Sequence, residues 1–152
     1  MEIENRYSSQ LIGFYHYQLD AKKRLAIPAK FRQHLSNHKE LILAQGLEGC
    51  LTLYSSSSWL ELNSKLETLS IKNKSNLRAI KRMMFASATS LQLDVEGRIL
   101  IPQILLEYAQ IKKDAVIMGL GNLIEIWAKK KWDGYQKKQK NAFTQNAAQL
   151  EI

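Results

Sequence analysis

Short apolar segments alternate with polar turns along the first half of the chain, and this pattern predicts strands joined to short helices. Residues 11–19 are rich in aromatic side chains and predict a strand, while the polar stretch 20–23 predicts a turn. A second strand is predicted at 24–27, so the two strands would form a hairpin with a charged tip. Pro28 presets φ for a first helical turn, and residues 28–35 therefore predict a short helix.

The rest of the first half predicts a second hairpin and a helix, and a further helix leads into the second half. Strands are predicted at 41–44 and 50–54, on either side of a glycine-containing turn. The serine run 55–58 is typical of a helix N-cap region. Apolar residues then recur at helical spacing: Trp59, Leu62, Leu66 and Leu69. A polar break at 70–76 separates this amphipathic helix from a second one.

The second half of the chain repeats the plan of the first. The segment 19–28 returns at 93–102, with Leu-Asp, Arg and Ile-Pro in register 74 positions later. The elements predicted by this repeat are a strand at 85–93, a strand at 98–101, a helix at 102–109, and strands at 115–120 and 123–128. Residues 129–140 are predicted to form the first part of a last helix. After Asn141 the chain has few apolar anchors, so we expect this segment to fray or to dock on a neighbouring molecule.

A twofold repeat in so short a chain predicts a pseudo-symmetric arrangement in which neither half buries its apolar face alone. Strand-rich halves with a short helix after each proline indicate an α+β, barrel-like architecture. We therefore predict a single intertwined domain over residues 1–152. Its first repeat would span 9–76 and its second repeat 77–152.

Composition narrows the class of protein. The 152 residues are 45% hydrophobic and 24% charged, which is close to the globular average. A net charge of +8 favours an anionic partner, such as nucleic acid or a membrane surface. Because no apolar run approaches the roughly 20 residues of a membrane span, and the N-terminus lacks signal-peptide features, we expect a cytoplasmic protein. The single cysteine, Cys50, excludes an internal disulfide and a multi-thiolate zinc site.

The candidate chemistry lies in an Asp-x-x-x-Arg motif that occurs once in each repeat, at the tip of a predicted turn. In a turn of this length the carboxylate can accept hydrogen bonds from backbone N–H groups and from the guanidinium, which fixes the direction of the arginine. An arginine held in this way is suited to a phosphate or to the edge of a guanine. The residues that we assign to this DNA-binding site are Asp20, Lys22, Lys23, Arg24, Asp94 and Arg98. The alternative is an exposed ion pair that only staples the turn.

Two further basic regions are weaker candidates for DNA contact. Three cations recur at helical spacing in the helix predicted after the polar break, at Arg78, Lys81 and Arg82, and lysine clusters occur at 129–131 and 137–140. A charge cluster on a helix is more often a solvated face than a binding site. We therefore favour a solvated face for these clusters and leave them out of the assigned DNA-binding site.

Metal binding and nucleophilic catalysis have little support in the sequence. His34 and His38 have the i, i+4 spacing of a metal pair, but no third ligand is evident, so we expect no metal and no cofactor. Cys50 alternates with apolar strand residues and has no identifiable base beside it, which favours a packed thiol. An enzyme is disfavoured because no set of acid, base, nucleophile and electrophile can be assembled.

The two Asp-x-x-x-Arg blocks, each followed by Ile-Pro, together with Leu-Leu-Glu-Tyr-Ala at 105–109 and Ile-Glu-Ile-Trp at 124–127, resemble the MraZ family of bacterial transcription regulators. The resemblance covers nearly the whole chain. It implies a pseudo-twofold, swapped-hairpin (AbrB-like) β-barrel that is made of two internal repeats and decorated with helices. It also implies a ring-shaped homo-oligomer that binds direct repeats in the promoter of its own operon, the division and cell-wall gene cluster. By this resemblance, the family's DNA-contact motif falls on Asp20, Arg24, Asp94 and Arg98.

The first motif departs from the family pattern at one position. The family usually has glycine before the arginine, as at Gly97, whereas the first motif has Lys23. A residue other than glycine is strained if this turn requires a positive φ. The sequence therefore predicts either a different turn type in the first motif or a strained Lys23.

The favoured function is a non-enzymatic, sequence-specific regulator that binds double-stranded DNA as a closed homo-oligomeric ring in the cytoplasm and associates with the nucleoid. No membrane contact and no small-molecule substrate are expected. The alternative is a basic, ring-forming protein-interaction scaffold without sequence-specific DNA binding, in which apolar contacts would dominate over charge.

Overall fold

The computed structural model describes residues 11–35, 40–68 and 74–151. These residues form an α+β fold, which confirms the predicted class. The strands are β1 (Leu11–Gln18), β2 (Arg24–Ala26), β3 (Leu41–Gln45), β4 (Leu51–Ser55), β5 (Thr89–Leu91), β6 (Arg98–Leu100), β7 (Asp114–Gly121) and β8 (Ile124–Ala128).

Five α-helices and one 3-10 turn complete the described part of the chain. The helices are α1 (Ala29–Leu35), α2 (Ser56–Thr68), α3 (Lys74–Phe85), α4 (Gln103–Ala109) and α5 (Lys129–Ala148), and the 3-10 turn is Leu47–Gly49. The backbone N–H of Ser58 donates to Oγ of Ser55 at 3.2 Å, so the serine run caps α2 as predicted. Leu69 and most of the predicted polar break lie outside the described residues. None of the described helices is long and apolar enough to cross a membrane.

The strands exchange partners between the two repeats. Six of them form one antiparallel sheet in the order β1-β7-β8-β4-β3-β5, and β2 pairs with β6 in a separate two-stranded sheet. Thus β1 of the first repeat lies beside β7 of the second, and β5 of the second lies beside β3 of the first. The contact between β4 and β8 joins the two halves at the middle of the sheet.

The hairpin predicted from 11–19 and 24–27 is wrong. Its two strands exist, but β1 pairs with β7 and β2 pairs with β6, so they do not pair with each other. The connection at 20–23 is a turn, as predicted, and it carries the chain from one sheet to the other. The hairpins predicted in the later part of each repeat, β3–β4 and β7–β8, are confirmed.

Apolar side chains from both repeats share one core. Leu25 of β2 lies directly opposite Ile99 of β6, and both side chains are fully buried. Phe31 of α1 and Leu105 of α4, which follow these strands at equivalent positions, are buried in the same cluster. Because the short sheet contributes residues from each half to this cluster, the core holds the two Asp-x-x-x-Arg turns side by side.

The strand predicted at 85–93 and the segment after Asn141 differ from the structure. The strand predicted at 85–93 is only the three-residue β5, because α3 continues to Phe85 and a turn follows. The hydroxyl of Ser87 donates to the carbonyl of Met83 at 2.7 Å and so satisfies an end of the helix that the apolar pattern did not reveal. The segment after Asn141, expected to fray or dock, continues α5 to Ala148.

Candidate nucleic-acid interface

The carboxylate of Asp20 organises the first loop, which we define as residues 20–24. Its Oδ1 accepts hydrogen bonds from the backbone N–H groups of Lys22 and Arg24, both at 2.9 Å. Its Oδ2 accepts from Nε of Arg24 at 2.7 Å. The same side chain therefore fixes the turn and the guanidinium, and the arginine needs little further ordering to meet a ligand.

The second loop, residues 94–98, has the same arrangement. Oδ1 of Asp94 accepts from the N–H groups of Glu96 and Arg98 at 2.9 Å, and its Oδ2 accepts from Nε of Arg98 at 2.9 Å. The backbone N–H of Asp94 donates to the carbonyl of Arg98 at 2.9 Å and closes the loop. The brace predicted for a turn of this length is thus present in both repeats.

Hydrogen bonds between the repeats bring the two loops together. The N–H of Ile27 donates to the carbonyl of Gly97 at 2.9 Å, and the N–H of Ile101 donates to the carbonyl of Lys23 at 3.1 Å. These bonds extend the β2–β6 ladder to the tip of each loop. Each loop is therefore held by the strand that belongs to the other repeat.

The strand alternation places both arginines on the outer face of the β2–β6 sheet. Leu25 and Ile99 face the core, so their neighbours Arg24 and Arg98 face away from it. The exposed fraction of the side chain is 29% for Arg24 and 23% for Arg98. Nη1 of Arg98 lies 3.8 Å from Oδ2 of Asp20, which also binds Arg24. The two guanidiniums and the carboxylates that bind them therefore form one partly buried charged cluster on this face.

Hydrogen bonding keeps both braces ionised. The backbone N–H of Arg24 is the main cause that lowers the pKa of Asp20, and the backbone N–H of Arg98 does the same for Asp94. The hydrogen bond that Nε of Arg98 donates to Asp94 is the main cause that raises the pKa of Arg98. At neutral pH each loop consequently holds a charged carboxylate against a charged guanidinium.

The structure resolves the question raised by Lys23. Its φ is +65°, close to the +78° of Gly97, so both loops use the same turn and Lys23 adopts the left-handed conformation. Gly97 has a second reason to be glycine, since a Cβ at this position would overlap Cδ and Nη1 of Arg32 and lie 2.8 Å from its Cζ. Arg32, from α1 of the first repeat, therefore packs directly against the second loop.

This difference predicts opposite stability effects in the two loops. Lys23→Gly is expected to raise the free energy of unfolding by about 0.5–1 kcal/mol, because glycine relieves a strained φ. Gly97→Ala is expected to lower it by about 1–3 kcal/mol, because it introduces that strain and displaces Arg32. Urea denaturation of both variants measures the two values. As a control, adding Arg32→Ala to Gly97→Ala should recover the steric part of the loss and leave the backbone part. A Lys23→Gly variant less stable than the parent protein would contradict the assignment of strain.

The lysines of the first loop and the basic clusters of α3 and α5 lie in different parts of the structure. Lys22 and Lys23 are exposed in the first loop, as the motif predicts. Helix α3, which carries the basic cluster at 78–82, packs on β3. In α5, Nζ of Lys129 binds both carboxylate oxygens of Asp133, and Nζ of Lys131 donates to the carbonyl of Gly49 at 3.0 Å. Those two lysines therefore support local structure.

The sequence also offered two weaker candidates for chemistry, the histidine pair and Cys50. Cys50 is fully buried and its Sγ donates to the carbonyl of Leu47 at 3.1 Å, so it is a packed thiol as predicted. Burial raises its pKa well above the ordinary value. His38 lies outside the described residues, so the predicted histidine pair has no geometry here. Within residues 11–35, 40–68 and 74–151, no group of three or more His, Cys, Asp or Glu side chains could hold a metal ion.

Sequence reasoning missed two residues that the structure places at the loops. Oε2 of Glu96 lies 3.3 Å from Nη1 of Arg98. Arg32 packs on Gly97, and its Nε is buried without a hydrogen-bond partner in the described part of the protein. The signal for Glu96 was present in the repeat, where it occupies the position equivalent to Lys22. No local pattern pointed to Arg32, because α1 meets the second loop only through the exchange of strands.

Comparison with known proteins shows the family to which the chain belongs. A family model described as "MraZ protein, putative antitoxin-like" matches residues 11–82 and, separately, residues 84–151, one match for each half of the chain. The chain therefore belongs to the MraZ family.

Individual relatives match over most of their length. Proteins named "Transcriptional regulator MraZ" are 41% identical in Clostridium acetobutylicum, over 93% of this chain and 99% of the relative, and 40% identical in Halothermothrix orenii, over 92% and 96%. A third, from Alkaliphilus oremlandii, is 44% identical over 82% of this chain and 85% of the relative.

Proposed function

We propose that this chain is a sequence-specific DNA-binding transcription regulator. The observation that carries the proposal is the pair of arginines, Arg24 and Arg98, braced by carboxylates on one outer face of the β2–β6 sheet. A guanidinium fork matches the two acceptors of a guanine edge or a phosphate. The exposed Lys22 and Lys23 add attraction for the DNA backbone, which is independent of sequence.

The relatives' names support a role in transcription, because three proteins aligned over most of this chain are called transcriptional regulators. The exchange of β1 and β5 between repeats supports an AbrB-like swapped-hairpin barrel as the architecture. We infer that the two repeats form one intertwined domain. We place such a regulator in the cytoplasm, in association with the nucleoid.

We further propose that the protein acts as a closed homo-oligomeric ring. Ile12 and Phe14 on β1 and Leu120 on β7 lie on one face of the sheet, since Ile12 is directly opposite Leu120. About half of each of these side chains is exposed. A contiguous exposed apolar patch of this kind is typical of a contact surface between protein molecules. Assembly would set several pairs of loops side by side.

The expected DNA target is a series of direct repeats in the promoter of the protein's own operon, the division and cell-wall gene cluster. One pair of loops makes few contacts, so a single subunit is expected to bind weakly. Repeats spaced by about one helical turn would engage neighbouring subunits of the ring. The linked contacts then multiply, and affinity rises without any new kind of contact.

Titration of promoter fragments tests this mechanism. Fragments of equal length with one, two or three intact repeats are compared at fixed salt concentration, with shuffled sequence in place of the missing repeats. The affinity is expected to rise by about 10²–10⁴ from one repeat to two. Light scattering of the free protein measures the size of the assembly in the same buffer.

Two results would contradict the proposal in different ways. Equal affinity for all fragments would remove the linked binding, and equal affinity for promoter and fully shuffled DNA would remove sequence-specific recognition. Weak salt dependence together with indifference to sequence would favour the alternative, a basic interaction scaffold. The same salt series therefore separates the two candidate functions.

A further inference from the structure

The two loops share a backbone conformation but differ in charge. The first loop carries three cations and one carboxylate: Asp20, Lys22, Lys23 and Arg24. The second carries one cation and two carboxylates: Asp94, Glu96 and Arg98. The reversal needs both differences between equivalent positions, because Glu96 in place of Lys22 changes the charge by two and Gly97 in place of Lys23 changes it by one. An approaching polyanion therefore meets two adjacent loops of opposite net charge.

The carboxylates are also distributed unequally around the two arginines. In the described residues Asp20 is the only carboxylate within 4 Å of the Arg24 guanidinium. Arg98 has three such neighbours, because its Nε binds Asp94 at 2.9 Å while its Nη1 lies 3.3 Å from Glu96 and 3.8 Å from Asp20. The donors of Arg98 are thus more fully engaged than those of Arg24.

Glu96 is the exchangeable member of this set. Asp94 also binds two backbone N–H groups and is part of the turn, whereas the Glu96 side chain is 67% exposed and makes one contact with Arg98. An exposed ion pair is weak, so a better acceptor can replace it. A phosphate that approaches Arg98 is repelled by Glu96, while the neutral acceptors of a base edge carry no net charge to repel.

We propose that Glu96 is a specificity-determining residue, which holds Arg98 away from phosphates and leaves it available for base edges, while the first loop supplies attraction to the backbone. This inference rests on the DNA-binding function proposed above. The two loops have the same backbone conformation, but the first would contact the DNA backbone and the second would contact base edges. The repulsive charge acts against incorrect contacts, and a specific interface needs this as well as favourable contacts to its target.

The test compares Glu96→Gln with the unsubstituted protein on two duplexes of equal length, one with promoter repeats and one with the same bases shuffled. Both are titrated over a series of salt concentrations. Glu96→Gln is expected to bind the shuffled duplex roughly two- to fivefold more tightly, the range that one exposed charge pair supports, and with a steeper salt dependence. Binding to the promoter duplex should change less, so the ratio of the two affinities falls.

Two further variants sharpen the comparison. Glu96→Lys gives the second loop the cation found at the equivalent position of the first, and it should lower the affinity ratio further than Glu96→Gln. Glu61→Gln removes an exposed carboxylate from α2 and is the matched control for net charge. It should leave the affinity ratio unchanged.

The outcomes separate this inference from the proposed function. If the unsubstituted protein binds both duplexes equally, sequence-specific binding is wrong and the role of Glu96 is wrong with it. If the unsubstituted protein prefers the promoter and Glu96→Gln keeps the same affinity ratio, only the role of Glu96 is overturned. A fall in the ratio for Glu96→Gln that Glu61→Gln does not reproduce supports the inference.

Discussion

Ile99→Ala is expected to lower the free energy of unfolding by about 2–5 kcal/mol, the range for large-to-small substitutions in a packed core. Ile99 is fully buried in β6 and lies directly opposite the fully buried Leu25 of β2. The substitution therefore leaves a cavity at the point where the two repeats meet. Leu100→Ala is the control in the same strand, since Leu100 is 60% exposed and should change stability by less than about 0.5 kcal/mol.

A double-mutant cycle extends this prediction to the domain organisation. Leu25→Ala and Ile99→Ala alter side chains that share one contact, so their effects are expected to be non-additive by about 0.5–3 kcal/mol. Denaturation should show a single transition in all three variants, because each half of the core is completed by the other. Two separate transitions would mean that the repeats fold independently and that the proposed intertwined domain is wrong. Strictly additive effects would mean that Leu25 and Ile99 do not stabilise each other.

Local pattern predicted the elements that depend on their own residues. The serine run predicted the start of α2, where Oγ of Ser55 accepts from the N–H of Ser58 and caps the helix. The apolar residues on either side of a glycine-containing turn predicted the β3–β4 hairpin. The pairing of β1 and β2 was predicted incorrectly, because adjacency along the chain favours a hairpin and the exchange with β7 and β6 depends on residues many positions away. The internal repeat indicated that the halves complete each other without showing which strands change partners.

The candidate site was predictable to the same extent. The Asp-x-x-x-Arg spacing sufficed to predict the brace, since Asp20 and Arg24 are neighbours within one turn. The positive φ of Lys23 could be posed only as an alternative, because the side chain is compatible with either turn type. The contact between Glu96 and Arg98 depends on side-chain conformations. The proximity of Arg98 to Asp20 depends on the pairing of β2 with β6, which no local pattern encodes.

Arg24→Ala and Arg98→Ala are each expected to weaken binding to promoter repeats by about 5- to 150-fold, the range for the loss of one specific arginine contact. Each guanidinium is already oriented by a carboxylate, so its removal deletes a contact and exposes no buried partner in the core. In a ring that engages two repeats, the loss occurs at both and the effects multiply. Lys30→Ala is the control, since Lys30 is an exposed cation on α1, outside the loops.

Substitution by lysine separates the geometry of these contacts from their charge. Arg24→Lys and Arg98→Lys keep the positive charge but lose the planar fork, so they should retain most binding to shuffled DNA and lose preference for the promoter. Fluorescence anisotropy with both duplexes measures the two affinities, and thermal denaturation of the same samples measures stability. If the arginines only staple the turns, the alanine variants should be less stable and bind promoter DNA as tightly as the unsubstituted protein. Reduced promoter binding at unchanged stability is the result that assigns the arginines to DNA. An ion pair that only stabilises the turn would lower the stability of the protein when it is removed, and any loss of binding would follow from that loss of stability.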